Sequence, residues 1–172
     1  MDSVRTNSAM IAAPLSLYKT RVKPEWVDYN NHLNDGYYLV IFSLGGVDEF
    51  MNRIGMSDAE RRATKTTIYT LEAHINYLRE VKLDEEVEIR CQLIGFDQKR
   101  FQLYLTMHTA RLGDELAATA EFMLVNIDSA GEPKSAPFRP EVAAKLAEIM
   151  EAHKALPLPQ NSGRAIALPK KK

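Results

Sequence analysis

The sequence predicts a single α+β domain in which one long helix packs against an antiparallel sheet. Three observations lead to this fold class. A helical pattern of apolar residues follows residue 34, four segments between residues 69 and 127 are typical of strands, and a second amphipathic helix begins at Pro140. A length of 172 residues fits one domain, and 45% hydrophobic with 26% charged residues is the composition of an ordinary globular protein.

The first half of the chain is predicted to supply a strand and the long helix. Residues 1–15 are expected to form a flexible arm, and residues 17–22 alternate weakly, which favours a first strand. Asn34 is a good N-cap for the helix, because its side chain can accept a hydrogen bond from a free amide of the first turn. The helix is predicted to run to about residue 54. Its apolar stripe consists of Leu39, Phe42, Gly46 and Phe50.

Gly45 and Gly46 lie inside this predicted helix, where each glycine costs about 1 kcal/mol relative to alanine. We expect close contact with the sheet to compensate for this cost. The alternative is a kink or a break in the helix at these positions.

The second half is predicted to form a four-strand antiparallel meander and a helix. Residues 69–77, 86–93 and 101–108 alternate between apolar and polar, and residues 116–127 are apolar on both faces, as a central strand should be. The helix from Pro140 places Val142, Leu146 and Ile149 on one side. We expect one domain over residues 16–155 and a flexible tail over residues 156–172.

Polar side chains cluster just before the start of the long helix. Asp28 and His32 precede Asn34, and Asp35 follows in the first turn, where a negative charge suits the helix dipole. Unpaired amides at a helix N-terminus bind anions and can stabilise a developing oxyanion. From its position alone, Asp28 is either an aspartate that caps a loop turn or a base or nucleophile beside this helix end.

A resemblance to a known family rests on several of these residues. They are Trp26-Val27-Asp28-Tyr29-Asn30, His32-Leu33-Asn34-Asp35, Tyr69-Thr70-Leu71-Glu72-Ala73-His74 and Lys99-Arg100. The chain resembles hot-dog-fold acyl-CoA thioesterases of the 4-hydroxybenzoyl-CoA type, and most closely those associated with carnitine dehydrogenase, which are proposed to hydrolyse betainyl-CoA. This resemblance implies a sheet wrapped around a central helix, a homodimer or dimer of dimers joined by sheet extension, active sites between subunits, and an acyl-CoA substrate without a separate cofactor.

The resemblance also implies roles for individual residues. Asp28 would act as base or nucleophile, and amides near Asp35 and Gly36 would hold the oxyanion. His32 would orient the thioester carbonyl or a water, with a packed loop histidine as the alternative. Lys99 and Arg100 would bind the phosphates of coenzyme A, with an ordinary solvated turn as the alternative.

Aromatic residues are dense around the motif, and a quaternary ammonium group binds aromatic faces through cation–π attraction. The rings considered are Trp26, Tyr29, Tyr37, Tyr38, Tyr69 and Tyr77. Trp26, Tyr29, Tyr37 and Tyr69 are the predicted substrate contacts, together with the carboxylate of Glu72. The alternative is that most of these rings pack in the core.

Composition disfavours several other classes of protein. A net charge of −1 gives no basic field for nucleic acid or anionic membrane. The single Cys91 cannot form an internal disulfide, which fits a reducing compartment such as the cytoplasm. No histidine, cysteine or carboxylate spacing is typical of a metal site.

Two rival functions remain open. Asp28-Tyr29-Asn30-Asn31-His32 resembles loosely the motif of hot-dog hydratases and dehydratases, but the spacing differs by one residue and the proline is missing. A non-catalytic acyl-CoA-binding module is the other. Release of free thiol from an acyl-CoA distinguishes a thioesterase from both.

Overall fold

The computed structural model describes residues 11–168. The strands are β1 (Leu15–Arg21), β2 (Thr66–Tyr77), β3 (Glu86–Phe96), β4 (Arg100–Thr109), β5 (Ala118–Asp128) and the short β6 (Lys134–Ser135). The helices are α1 (Asp35–Ile41), α2 (Asp48–Arg53), α3 (Asp58–Thr64) and α4 (Pro140–His153), and a π-helical turn (Phe42–Val47) joins α1 to α2. We call α1, this turn and α2 together the central helix.

The strands form one curled antiparallel sheet in the order β1-β3-β4-β5-β2, with β6 on β5. The expected four-strand meander is wrong for its first strand, because β2 pairs with β5 at the far edge instead of with β3. The edge of β3 is occupied by β1, which places Arg21 beside Glu86 and Leu15 beside Cys91. The segments β3, β4 and β5 do form a meander, and β5 is paired on both sides as its apolar pattern predicts.

The central helix packs directly on the inner face of the sheet through its two glycines. A Cβ atom on Gly45 would lie 2.1 Å from the ring of Tyr18, and one on Gly46 would lie 2.4 Å from Cδ1 of Leu105. The expected close contact with the sheet is therefore confirmed. The helix is continuous, and it widens into the π-helical turn at these glycines.

The prediction that Leu39 belongs to the buried apolar stripe is wrong. The Leu39 residue is 42% exposed, whereas Tyr38 is only 4% exposed. The buried face includes the preceding position, where the hydroxyl of Tyr38 donates to the carbonyl oxygen of Arg79 at 3.5 Å. A tyrosine whose polar end has a partner can be buried, and spacing alone does not distinguish it from its apolar neighbour.

Helix α4 buries Val142, Leu146 and Ile149 against the common core, as the periodicity predicts. Residues 157–168 contain no helix or strand and lie on the outer face of the sheet, where Ser162 and Gly163 donate hydrogen bonds to Glu121. Within residues 11–168, no helix is long and apolar enough to cross a membrane.

Candidate functional site

Asp28 lies half-buried in the loop before the central helix, and one of its two carboxylate oxygens accepts hydrogen bonds. Its Oδ1 accepts hydrogen bonds from the backbone nitrogens of Asn30 and His32, at 2.8 and 3.2 Å. The loop also places Asn31 at a positive φ of 59°. Asp28 thus does cap a turn, but among residues 11–168 no donor lies within hydrogen-bonding distance of Oδ2. One oxygen fixes the carboxylate and the other is available for chemistry.

An open cleft of about 430 Å³ lies beside Asp28, between this loop, the start of α1 and the end of β2. It is lined by Asp28, Leu33, Asn34, Asp35, Tyr38, Tyr77, Leu78, Arg79 and Glu80. Two hydrogen bonds hold its walls together. The amide of Leu33 donates to the carbonyl oxygen of Val81 at 2.7 Å, and the hydroxyl of Tyr77 donates to that of Asp35 at 3.3 Å.

The first turn of α1 presents one free amide to this cleft. Asn34 is the N-cap, and its side-chain oxygen accepts from the amide of Gly36 at 3.1 Å. Within the described residues, the amide of Asp35 donates to no acceptor. The two amides expected to act together therefore differ, because that of Gly36 is engaged by the cap and that of Asp35 is free.

The charge of the cleft is negative. Asp28, Asp35 and Glu80 contribute carboxylates, whereas Arg79 is paired with Glu115 at 2.9 Å. Burial raises the pKa of Tyr38, and burial together with the charge of Asp35 raises that of Tyr77. Both tyrosines are therefore neutral at physiological pH.

The imidazole of His32 lies beside the carboxylate of Glu80, which follows β2. Its Nε2 lies 3.3 Å from Oε2 of Glu80, and its side chain is 35% exposed. Glu80 also lies 3.6 Å from the amine of Lys82. His32 does not line the cleft, although the carboxylate it contacts does.

The aromatic residues expected to contact substrate do not gather at this cleft. Trp26 and Tyr37 stack on each other with ring centroids 6.0 Å apart, and the amine of Lys23 lies 4.8 Å from the centroid of Trp26. Tyr29 is 94% exposed. Of the rings considered from the sequence, Tyr38 and Tyr77 are those that the structure places in the cleft.

Tyr69 and Glu72 lie toward the other end of β2 from Tyr77. The eight steps between Tyr69 and Tyr77 correspond to about 25 Å of extended strand. Glu72 faces the outer side of the sheet, where it lines a separate pocket with His74. Within one chain, neither residue reaches the Asp28 cleft.

Lys99 and Arg100 lie on the β3–β4 turn at that same far end, since Arg100 pairs with Val125 and Val125 pairs with Tyr69. The Nε and Nη2 atoms of Arg100 both donate to Oδ2 of Asp97, at 2.8 and 2.6 Å. Hydrogen bonds from the turn and from Arg100 lower the pKa of Asp97 to about 2. The amine of Lys99 contacts only the hydroxyl of Ser135, at 3.2 Å, among the described residues.

Two charged residues of the cleft, Arg79 and Glu80, were missed by reasoning from the sequence. They follow β2 and lie some fifty positions after Asp28, and no spacing pattern connects them with the motif loop. The signal that would find them is the antiparallel bridge between His32 and Lys82, which requires knowledge of the tertiary structure.

A second cavity, of about 570 Å³, lies on the outer face of the sheet beneath residues 156–161. Its walls include Gln92, Tyr104, Thr106 and Pro157. It is larger than the Asp28 cleft but lacks a carboxylate next to a free helix amide, so we place the chemistry at the Asp28 cleft. Within residues 11–168, no group of three or more histidine, cysteine or acidic residues is arranged to hold a metal.

Comparison with known proteins identifies the family. Residues 22–146 match the model of the thioesterase-like superfamily. The chain is 44% identical to a betainyl-CoA thioesterase of Pseudomonas aeruginosa, over 90% of this chain and 96% of that one. It is 38% identical to an L-carnitine dehydrogenase/betainyl-CoA thioesterase of Rhizobium meliloti, over 90% of this chain but 30% of that longer protein.

The fold is shared with solved structures. A hypothetical protein from Staphylococcus aureus in complex with CoA superposes with a TM-score of 0.83 at 29% identity, covering 92% of this chain and 98% of the other. The curled sheet around one central helix confirms the hot-dog fold predicted from the sequence. The chain belongs to the thioesterase-like superfamily and is a thioester hydrolase of the hot-dog fold.

Proposed function

We propose that this chain is an acyl-CoA thioesterase that hydrolyses betainyl-CoA, or another short acyl-CoA, to the free acid and coenzyme A. The 44% identity to a betainyl-CoA thioesterase over nearly its whole length supports the substrate. The observation that carries the chemistry is the free Oδ2 of Asp28 in a cleft that also contains the free amide of Asp35.

In the general-base route, Oδ2 of Asp28 removes a proton from a water molecule, and the oxygen of that water adds to the thioester carbonyl carbon. The amide of Asp35 donates a hydrogen bond to the resulting oxyanion. Collapse of the tetrahedral intermediate breaks the C–S bond, and the departing thiolate takes the proton that Asp28 removed from the water. In the nucleophilic route, Asp28 itself attacks the carbonyl carbon, and the C–S bond breaks to release the thiolate of coenzyme A and leave a mixed anhydride. Water then hydrolyses this anhydride to the free acid and the Asp28 carboxylate, and the proton released by the water goes to the thiolate. Neither route needs a separate cofactor.

We further propose that the working enzyme is a homodimer, or a dimer of dimers, in which β2 strands pair across subunits. The outer edge of β2 carries no partner strand among the described residues, and Tyr69 and Leu71 are 48% and 58% exposed. Antiparallel pairing of two β2 strands brings the Tyr69 end of one subunit to the Tyr77 end of the other. Lys99 and Arg100 of one subunit then approach the Asp28 cleft of the other, where they bind the phosphates of coenzyme A.

The same arrangement gives Tyr69 a place beside a second subunit's cleft that it lacks in a single chain. Asn34 acts by holding the first turn of α1, and His32 acts by fixing the loop to Glu80. The buried thiol of Cys91 is in keeping with activity in the cytoplasm.

The test is release of free coenzyme A from betainyl-CoA, acetyl-CoA, a medium-chain acyl-CoA and 4-hydroxybenzoyl-CoA. Asp28→Asn is the informative variant, because asparagine keeps the Oδ1 acceptor of the turn and replaces Oδ2. We expect kcat to fall by about 10²–10⁴-fold. Turnover by Asp28→Asn within severalfold of wild type would reject Asp28 as the reacting group. A preference for a medium-chain or aromatic thioester would reject betainyl-CoA while retaining the thioesterase.

A further inference from the structure

We propose that Tyr77 is the specificity-determining residue of the cleft and selects a cationic, quaternary-ammonium acyl group over a neutral acyl group of the same shape. This inference rests on the proposed hydrolysis of betainyl-CoA and assigns the contact that distinguishes that substrate.

The ring of Tyr77 is fixed at the wall of the cleft but remains accessible. It packs edge to face with Tyr38, with centroids 5.2 Å apart and ring planes at 89°. Its hydroxyl donates to the carbonyl oxygen of Asp35 at 3.3 Å. Because Tyr77 is still 53% exposed, part of the ring is free to contact a ligand beside Asp28. A ring held in this way loses little conformational freedom on binding.

The charges around Tyr77 favour a cation. Asp28, Asp35 and Glu80 line the same cleft. The charge of Glu80 is partly offset by Lys82, whose amine lies 3.6 Å away. The one arginine of the cleft, Arg79, is engaged by Glu115 and by the carbonyl oxygen of Leu78. The hydroxyl of Tyr77 donates to the carbonyl oxygen of Asp35, and burial and the charge of Asp35 both raise the pKa of Tyr77. An ammonium group between an aromatic ring and carboxylates is attracted by both. An anionic acyl group, such as a succinyl group, meets repulsion.

The other rings of the motif cannot take this role in the same chain. The ring of Trp26 already has the amine of Lys23 within 4.8 Å of its centroid, and Tyr37 stacks on Trp26. Tyr38 lines the cleft but is only 4% exposed, so it supports Tyr77 and offers little free surface itself.

The experiment compares two substrates of nearly the same shape, of which one has a cationic and one a neutral acyl group. The ammonium group also makes its thioester carbonyl more electrophilic, so the readout is the change in preference between wild type and variant. Betainyl-CoA carries a trimethylammonium group, and 3,3-dimethylbutanoyl-CoA carries the neutral tert-butyl group of nearly the same shape. The measurement is the ratio of kcat/KM for the two thioesters, in wild type, Tyr77→Leu and Tyr77→Phe. Glu132→Gln, in the exposed turn between β5 and β6, controls for loss of a distant carboxylate.

The preference of wild type for betainyl-CoA is expected to exceed that of Tyr77→Leu by about 3- to 30-fold, the range that one cation–π contact supplies. Tyr77→Leu should therefore lose more kcat/KM on betainyl-CoA than on the neutral thioester. Tyr77→Phe should keep the preference, because phenylalanine retains the ring. Glu80→Gln should reduce the preference by a smaller factor that shrinks further in high salt, whereas Glu132→Gln should not change it.

The ratio of the two kcat/KM values does not depend on the fraction of folded enzyme, because misfolding lowers both values by the same factor. Equal loss on both in Tyr77→Leu would overturn the role of Tyr77 in specificity. Equal turnover of both thioesters by wild type would overturn this inference and leave the thioesterase assignment intact. Hydrolysis of the neutral thioester with none of betainyl-CoA would overturn the proposed substrate as well.

Discussion

The imidazole Nδ1 of His153 lies 2.9 Å from the backbone nitrogen of Leu93, and its Nε2 lies 3.2 Å from the carbonyl oxygen of Ala12. Strand β1 covers the edge of β3 only as far as Cys91, which pairs with Leu15. Beyond that point His153, at the end of α4, accepts the hydrogen bond from the amide of Leu93 that a neighbouring strand would otherwise accept. The amide of Leu93 can donate only to an unprotonated Nδ1, so the ring is the neutral Nε2–H tautomer.

Protonation of His153 is expected to destabilise the fold at acidic pH. The ring is 1% exposed, and burial lowers its pKa below the usual value of 6.5. The unfolded chain then binds a proton more readily than the folded one. The contribution of this residue to stability is complete above about pH 6.5 and is lost as the pH falls from there toward the folded-state pKa. Urea unfolding at pH 7.5 and pH 5.5 measures the loss.

A matched variant separates this histidine from other groups that titrate in the same range. His153→Asn keeps an acceptor near the position of Nδ1 and has no charge to gain. We expect it to be less stable than wild type at pH 7.5, by about 1–3 kcal/mol, and to show a weaker pH dependence. An unchanged pH dependence would assign the acid sensitivity elsewhere, for example to His108, whose pKa is also lowered by burial.

Gly45→Ala is expected to destabilise the protein although alanine is the better helix former. A Cβ at this position would lie 2.1 Å from the ring of Tyr18. The overpacking costs about 1–3 kcal/mol, which exceeds the gain of about 1 kcal/mol in helix propensity. Chemical denaturation of Gly45→Ala beside Gly131→Ala, where nothing lies within 4 Å, tests this. Equal stability of the two variants would contradict the close packing.

Local patterns predicted much of this fold, because each reports on one element and its immediate surroundings. The cap at Asn34, the alternation along β3 and β4 and the buried face of α4 all appear as expected. The partner of β2 was not predicted, since alternation shows which side of a strand is buried and not which strand lies beside it.

Some residues of the candidate site also follow from a local pattern, whereas others depend on tertiary contacts. Asp28, Asn34 and Asp35 come from one short motif and lie together. Glu80 joins them only because Leu33 and His32 bridge to the segment after β2. Tyr69 and Lys99 belong to the far end of the sheet, and in the proposed dimer they approach the cleft of the other subunit.

Asn34→Ala is expected to lower both stability and turnover. Loss of this N-cap costs about 1 kcal/mol and releases the amide of Gly36, so that the first turn no longer holds the amide of Asp35 in place. Ser57→Ala is the matched control, since Ser57 caps α3 with its own side chain away from the cleft. Both variants should lose stability, but only Asn34→Ala should lose kcat. A normal kcat in Asn34→Ala would remove the first turn of α1 from the mechanism.

Leu71→Lys is expected to separate the subunits and reduce activity. The residue is 58% exposed at the bulge in β2, and a charge on an edge strand opposes pairing with another strand. Light scattering measures the mass of Leu71→Lys and of a control variant, Leu158→Lys. Leu158 is 69% exposed and lies on the outer face of the sheet, away from the edge of β2. Wild type and Leu158→Lys should be dimers or tetramers. A monomeric, fully active wild type would contradict sheet extension through β2.

Lys99→Ala is expected to raise KM for acyl-CoA severalfold and leave kcat nearly unchanged. The amine of Lys99 contacts only a serine hydroxyl among the described residues, whereas the guanidinium of Arg100 is held by Asp97, so Lys99 is the freer charge for a phosphate. The corresponding acyl-pantetheine lacks the nucleotide, and its KM should not respond to the substitution. Lys154→Ala, at the end of α4, controls for loss of one positive charge. Equal effects on acyl-CoA and acyl-pantetheine would show that Lys99 acts on the structure of the turn and not on the phosphates of coenzyme A.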